Sequence, residues 1–297
     1  MQMIKKFKTS NFVKFFFKLL NPYNLNVPPG HYYSPIPDNA EIEGDTRHLY
    51  NHENIFGINI SMEKHLNYIK IFKEIINDIP FIDSPSINYR YYYNNGMYEH
   101  SSGSLLYCWI KYLKPKRIFE IGSGFSSALM LDMNDHYFVS NPIILKFIEP
   151  NPERLKKLLK QTDYSNIELI ENKLEKIDFF SFKELDEGDI LFIDSTHVSK
   201  FGSDVNTIIF NIFPLLKKGV YIHIHDIFFP FEYPIDWLKK GVFWNEIYLL
   251  KAFLMFNNSF EIEFMNTYAL SKLPEQMDEI PLFNKSTGGC LWIKKIK

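Results

Sequence analysis

Cysteine is almost absent. The 297-residue chain has only Cys108 and Cys290, each set among apolar residues, which is too few for a disulfide framework and lacks the paired spacing of a structural zinc site. Charge of one sign is missing as well. Lys and Arg number 33 against 35 Asp and Glu, a net charge of -2, so no global field attracts a polyanion and nucleic acid is not the expected partner. No apolar run is long and uncharged enough to cross a bilayer, because Lys14 and Lys18 interrupt the best stretch, Phe12 to Leu20. A signal-peptide pattern, an unbroken apolar core followed by small residues, is also not found. The expectation is a cytoplasmic protein with reduced core thiols. Internal repeats and low-complexity linkers are lacking too, and the length suits one substantial α/β core plus an extension.

Aromatic residues are abundant at 17%, mostly Phe and Tyr. Met1 to Pro37 contains no acidic residue, while Lys5, Lys6, Lys8, Lys14 and Lys18 alternate with Phe and Leu. Such a basic amphipathic segment fits an anionic membrane or a partner helix. Its apolar positions wrap around much of a helix, which favours packing on its own domain or on a second subunit. Asn21 to Asp38 holds five prolines and reads as irregular, with His31 to Asp38 either an ordered surface loop or a substrate-facing one. Ser61 reads as the N-cap of a helix running to about Asp78, and Ser104 to Leu113 as a second helix. Residues 1–100 are therefore expected to form an extension on a core domain of residues 101–297.

From Arg117 the pattern changes. Ile118, Phe119 and Ile121 read as a buried strand, Gly122 and Gly124 as a tight turn, and Ser126 onward as a helix. This junction leaves backbone N–H groups free to hold a polar ligand. Strands then alternate with helices: Ile143–Ile148, Ile167–Ile170, Asp189–Ile193 and Val220–Ile224 are strands, while 152–159, 204–216 and 237–256 are helices. Alternation of this kind predicts a parallel sheet covered on both faces. The strands at 260–264 and 289–293 have only an irregular stretch between them and predict an antiparallel pair at the edge.

In an open parallel sheet the ligand lies across the carboxyl ends of the strands. Ionisable residues stand at those ends: Glu120 with the first strand, Glu149 after the second, Asp194 after the fourth, His225 and Asp226 after the fifth. Glu149 is placed to accept both hydroxyls of a ribose. Nicotinamide dinucleotides use the same geometry, but Ser127 replaces their third glycine and Glu120 would face an ammonium better than a pyrophosphate. A cationic nucleoside without phosphate fits both features.

The run Phe119-Glu120-Ile121-Gly122-Ser123-Gly124, with Phe147-Ile148-Glu149-Pro150 and the late edge pair, resembles the class I S-adenosylmethionine-dependent methyltransferases. Phe192 to His197, Ser203-Asp204-Val205, Lys218-Gly219-Val220 and His223-Ile224-His225-Asp226-Ile227 are similar to a bacterial subgroup related to macrocin-type sugar O-methyltransferases and cephalosporin-hydroxylase-like proteins. The resemblance covers roughly residues 85–297. It implies a Rossmann-like seven-stranded sheet, with Glu120 partnering the cofactor's amino group, Gly122, Ser123 and Gly124 forming the backbone cradle, and Glu149 clamping ribose. Glu171 or Asn172 would lie near adenine, and Asp194 would complete the cofactor site. It also implies a divalent metal on Asp194 and Asp226, although His225 stands where the subgroup has a carboxylate, and a hard ion prefers oxygen.

Methyl transfer to a hydroxyl requires in-line alignment and removal of a proton of high pKa. His225 and His197 are the candidate bases, with Asp226 or Asp204 to orient one of them, and His223 reads as structural. Phe228 to Pro234 and Trp244-Asn245-Glu246 are candidate pocket walls, with Glu232, Asn245 and Glu246 the better pocket residues. The expected function is O-methylation of a sugar or another polar small molecule. A nicotinamide-dependent oxidoreductase and a non-catalytic cofactor-binding scaffold are the alternatives, while the lack of an Asn-Pro-Pro-Tyr motif disfavours nucleic-acid methylation.

Overall fold

The computed structural model describes residues 29–50, 55–286 and 288–297. Most of the basic amphipathic segment, residues 1–28, lies outside them. The described residues fall into a smaller unit, 29–47 with 235–243, and a larger one, 48–234 with 244–297. In the smaller unit, α1 (Asn39–Glu43) is started by a reciprocal cap: the Asp38 carboxylate accepts from the Glu41 N–H at 2.8 Å, and the Glu41 carboxylate accepts from the Asp38 N–H at 2.8 Å. The proline-rich run ahead of it is thereby an ordered turn, closed by Gly30 N–H donating to the Ile36 carbonyl at 2.9 Å.

The larger unit is built on seven strands, β1 (Arg117–Ile121), β2 (Ile144–Ile148), β3 (Ile167–Ile170), β4 (Ile190–Ile193), β5 (Tyr221–His225), β6 (Phe260–Met265) and β7 (Cys290–Lys295). Their order is β3-β2-β1-β4-β5-β7-β6. The first five are parallel, and β7 runs antiparallel to both β5 and β6. The parallel sheet expected from the alternating pattern is thus present, in the Rossmann-like seven-stranded form that the resemblance implies, and the late pair is antiparallel as expected. β4 and β5 are buried along their whole length, which is why β4 reads as a continuous apolar run and not as an alternating one. Strand order reverses between β1 and β4, and that switch point opens the crevice described below.

Helices cover both faces. α2 (Met62–Ile75) starts at Ser61, whose hydroxyl accepts from Lys64 N–H at 3.2 Å, and buries Tyr68, Ile69 and Phe72. α3 (His100–Leu113) is buried from His100 through Ile110 and stacks Trp109 on Trp292 at 4.5 Å. After the glycine turn comes α4 (Phe125–Tyr137), and after β2 comes α5 (Glu153–Leu158). Among the described residues no helix is long and apolar enough to cross a membrane.

Three expectations need correction. The helix expected over 204–216 is α6 (Asp204–Thr207) followed by a wider-pitched turn at Ile208–Ile212 and a tighter one at Phe213–Leu215, because Pro214 cannot donate into the α-helical ladder. The long helix expected over 237–256 is two, α7 (Ile235–Lys239) and α8 (Glu246–Leu254), separated where Gly241 adopts φ +82°. The irregular stretch before β7 contains α9 (Asn266–Lys272), α10 (Pro274–Asp278) and α11 (Pro281–Asn284). Pro274 and Pro281 each occupy a first helical position, where the missing N–H costs nothing.

One buried ion network ties the segment ahead of α3 to α4. The Arg90 guanidinium, 7% exposed, donates to Asp132 at 2.8 Å, Asp135 at 2.7 Å and Asp163 at 2.5 and 3.1 Å. Removing the cation strands the buried carboxylates of Asp132 and Asp163. Arg90→Met is therefore expected to destabilise the fold by about 3–5 kcal/mol, read as a fall in the urea midpoint at unchanged slope. A loss below about 1 kcal/mol would show the network to be solvated in solution.

Candidate active site

The crevice at the carboxyl ends of β1, β2, β4 and β5 has two lobes, of about 360 and 260 Å³, that share Gly122, Glu149, Asp194 and Ser195. The larger lobe continues along Pro150, Asn151, Lys173, Leu174 and Ser203. The smaller reaches Tyr98, Arg154, His197, His225, Asp226 and Trp244.

Gly122 makes the turn possible. It sits at φ +84°, and a Cβ there would overlap the carbonyl oxygen of Asp194, so only glycine lets β1 turn so close to the end of β4. Glu149 accepts from Ser123 N–H at 3.2 Å and Asn151 N–H at 2.7 Å, which fixes its carboxylate at the junction of the lobes. Glu120 is fully buried, and both its oxygens accept from the hydroxyls of Ser126 and Ser127 in the first turn of α4. Burial pushes its pKa up to about 8, against those hydroxyl donors. Ser127, the residue standing for a third glycine, is thus committed to Glu120 and to Gly124 N–H at 3.0 Å. Asn172 is exposed and accepts from Lys173 N–H at 2.9 Å. Its successors Lys173, Leu174 and Glu175 line the crevice, and Asn172 is not among the lining residues.

The acidic and imidazole groups converge in the smaller lobe. His197 holds a backbone φ of +58°, and its ring lies between two carboxylates: Nδ1 meets Glu246 Oε2 at 2.8 Å and Nε2 meets Asp194 Oδ1 at 3.3 Å. Trp244 packs on that ring at 4.3 Å. Burial alone would lower the His197 pKa, but the two carboxylates outweigh it and push it up to about 10. His225 ends β5, with Nε2 3.6 Å from Asp226 Oδ1 and its ring tilted against Tyr98 at 5.0 Å. Burial again opposes the charge, and Asp226 and Asp194 overcome it, raising the pKa to about 10. Asp194 is raised by burial but is held below its usual value by His225 and His197, whereas burial keeps Asp226 above its own.

Each ring is thus flanked by carboxylates that favour its protonated form. An imidazolium has no lone pair to offer, so the carboxylates beside the rings are the groups better able to accept a proton. Asp204 does not orient a histidine: it accepts from Thr196 N–H at 3.0 Å and Thr196 Oγ1 at 2.6 Å. Glu246 orients His197 instead. Glu232 accepts from Tyr248 Oη at 2.9 Å, Asn245 from Ser199 N–H at 2.6 Å, and Phe228 and Phe231 are buried cover. Tyr98, Arg154 and Ser195 line the crevice without having been singled out in the sequence. Each follows a signal that periodicity does not carry: the residue two before a buried helix, the second residue of a helix at the strand edge, and the residue after the β4 acid.

Replacing one of the two carboxylates tests the His197 assignment. Glu246→Gln is expected to lower the His197 pKa by about 1–3 units, measured by NMR titration of the imidazole. An unchanged value would place the charge balance elsewhere.

A parallel sheet with a reversed seventh strand, a glycine turn at the switch point and an acid at the end of β2 define an enzyme core for a nucleoside cofactor. Residues 119–227 match the family described as a methyltransferase domain. An uncharacterised protein of Archaeoglobus fulgidus is 31% identical over 166 residues, covering 54% of this chain and 74% of that one. Among solved structures, a Podospora anserina methyltransferase bound to S-adenosylhomocysteine is 19% identical with a TM-score of 0.43, over 89% of this chain and 99% of that chain. CmcI with magnesium and S-adenosylmethionine is 17% identical with a TM-score of 0.41, over 67% and 73%. The chain carries a methyltransferase domain, for which S-adenosylmethionine is the cofactor that the sequence resemblance implies.

The crevice suits that cofactor. The Gly122 cradle admits close backbone approach. The hydroxyls of Tyr98 and Ser195 are buried without a hydrogen-bond partner, which a polar ligand would relieve. A divalent ion on Asp194 and Asp226 is less well provided for. Asp194 already meets His197 Nε2 at 3.3 Å and Asp226 lies 3.6 Å from His225 Nε2, and among the described residues the single cluster of three metal-ligating side chains is a different one, taken up below.

Proposed function

We propose that the enzyme methylates a hydroxyl of a sugar, a glycan precursor or another polar small molecule, with residues 101–297 as the cofactor-binding domain and the preceding residues an extension built onto it. The observation that carries this reading is the convergence of Asp194, His197, His225 and Asp226 on one lobe that adjoins the glycine cradle. When bound, S-adenosylmethionine supplies an electrophilic methyl group. The turn at Gly122, Ser123 and Gly124 lets the backbone approach it closely, and Glu149, held by Ser123 N–H, accepts from its ribose. Asp226, made more basic by burial, takes the hydroxyl proton, and the His225 imidazolium beside it holds the pair's net charge near neutral. His197 is a positioning residue: clamped by Glu246, it fixes the Asp194 carboxylate toward the acceptor. Arg154 at the rim gives the lobe a cation on its otherwise acidic side.

Incubation of the protein with labelled S-adenosylmethionine and a panel of sugars and small polyols, read by mass spectrometry, tests this directly. Label on a hydroxyl oxygen supports it. Transfer confined to nitrogen or sulfur acceptors would overturn it.

A further inference from the structure

Beneath the smaller lobe lies a second group of ligating side chains. β5 places His223 and His225 two residues apart, so both project from one face of the sheet. β7 runs antiparallel beside it with Cys290 directly opposite His225 and Trp292 opposite His223. One ligating atom from each of His223, His225 and Cys290 lies within 4.8 Å of the others. The His225 Nδ1 to Cys290 Sγ distance is 3.9 Å.

Two features distinguish this group from ordinary core packing. His223 is fully buried, stacked on Phe192 at 4.4 Å and tilted against Trp292 at 4.9 Å, and neither ring nitrogen has a hydrogen-bond partner. An imidazole left so is costly, since a buried polar group without a partner loses its full hydration. Cys290 is a fully buried free thiol whose neighbours are Ser102 Oγ at 3.6 Å and His225. Of the three, only His225 also faces the crevice, through Nε2, 3.6 Å from Asp226; its Nδ1 points toward Cys290.

We propose that His223, His225 and Cys290 bind a borderline or soft transition-metal ion of the zinc class. Two imidazoles and a thiolate form a nitrogen–sulfur donor set that selects such ions over magnesium or calcium. Bonds of about 2.0–2.1 Å to nitrogen and 2.3 Å to sulfur put adjacent ligand atoms roughly 3.3–3.6 Å apart in a tetrahedral site. The His225–Cys290 pair is within a few tenths of an ångström of that. Ser102 is beside the sulfur for the fourth position. With Nδ1 as ligand, His225 Nε2 faces Asp226 at 3.6 Å, the carboxylate-behind-histidine arrangement that fixes ligating imidazoles. Binding releases the thiol proton and a proton from His225. His225 also lines the crevice, which gives the ion its way in. The ion's place would be structural, joining β5 to β7 under the site; its charge would stand in for the His225 proton beside Asp226, and the inference does not depend on which acceptor is methylated.

The full-length protein, stripped with chelator, is dialysed against zinc and then against metal-free buffer, and its metal content is measured. About one equivalent per chain and a rise in Tm over the stripped protein are expected. Cobalt in place of zinc should give a thiolate-to-metal charge-transfer band in the near ultraviolet with tetrahedral bands in the visible. Cys290→Ser should lose the charge-transfer band and His223→Phe the bound equivalent. Should Cys290→Ser fail to fold, the wild-type cobalt spectrum and His223→Phe decide. Less than about a tenth of an equivalent retained, a cobalt spectrum without the thiolate band, or a band that survives Cys290→Ser would each overturn the proposal.

Discussion

Gly122→Ala should abolish tight binding of S-adenosylhomocysteine while leaving the sheet in place. An added Cβ would overlap the Asp194 carbonyl, and a positive φ of 84° costs any L-residue further. Two backbones meet here, so neither can move as a flexible side chain would. The turn must therefore open, carrying away the Ser123 N–H that holds the Glu149 carboxylate. Losing that positioned carboxylate and the close backbone approach costs about 3 kcal/mol, or roughly a 100-fold weaker Kd by calorimetry. Because Gly122 N–H donates to the Ile148 carbonyl at 3.0 Å at the end of the β1–β2 ladder, the damage falls at the crevice and not in the core. Undiminished affinity would mean that the ligand does not use this turn.

His225→Ala should be the most damaging change to turnover with little effect on cofactor affinity. The imidazolium holds Asp194 below its usual pKa and neutralises Asp226. Without it both carboxylates become harder to ionise, so the ascending limb of the pH profile of kcat/KM moves to higher pH. The fall in kcat is expected to be on the order of 10²–10⁴. The shift discriminates between roles: an ordinary packing residue would lower activity equally at every pH. A fall without displacement of the limb would remove His225 from the proton-transfer pair.

Much of the sheet was legible because parallel strands buried on both faces leave unbroken apolar runs bounded by charge. Phe147-Ile148-Glu149 and Phe192-Ile193-Asp194 each announce a strand and the residue that emerges from it. Helix boundaries were less legible. Residues 237–256 carry enough apolar residues for one helix, and only the left-handed conformation at Gly241 divides it. The helices at 266–284 were hidden because Pro274 and Pro281 look like breakers unless they fall at a first position.

Within the site, positions at strand ends could be read and charge states could not. His197 is an unremarkable histidine in sequence. Its state follows from Glu246, 49 residues away and brought beside it by the backbone bonds from Asn245 and Glu246 N–H to the His197 carbonyl at 3.1 Å. Asn172 follows β3 as expected, and its side chain accepts from Lys173 N–H, a local bond that its position in the sequence does not announce. The group of His223, His225 and Cys290 escaped notice because the metal-binding reading of cysteine relies on paired spacing along the chain, whereas here strand pairing supplies the proximity.

The central claim is that the crevice where β1, β2 and β4 end holds the nucleoside cofactor through the glycine turn and Glu149. Calorimetric titration with S-adenosylhomocysteine, run beside NAD and repeated on Glu149→Ala, tests it most directly. The account expects one site per chain for S-adenosylhomocysteine, none for NAD, and a loss of at least about tenfold in affinity on removing the ribose-facing carboxylate. Binding of NAD alone, or S-adenosylhomocysteine affinity indifferent to Glu149, would contradict it.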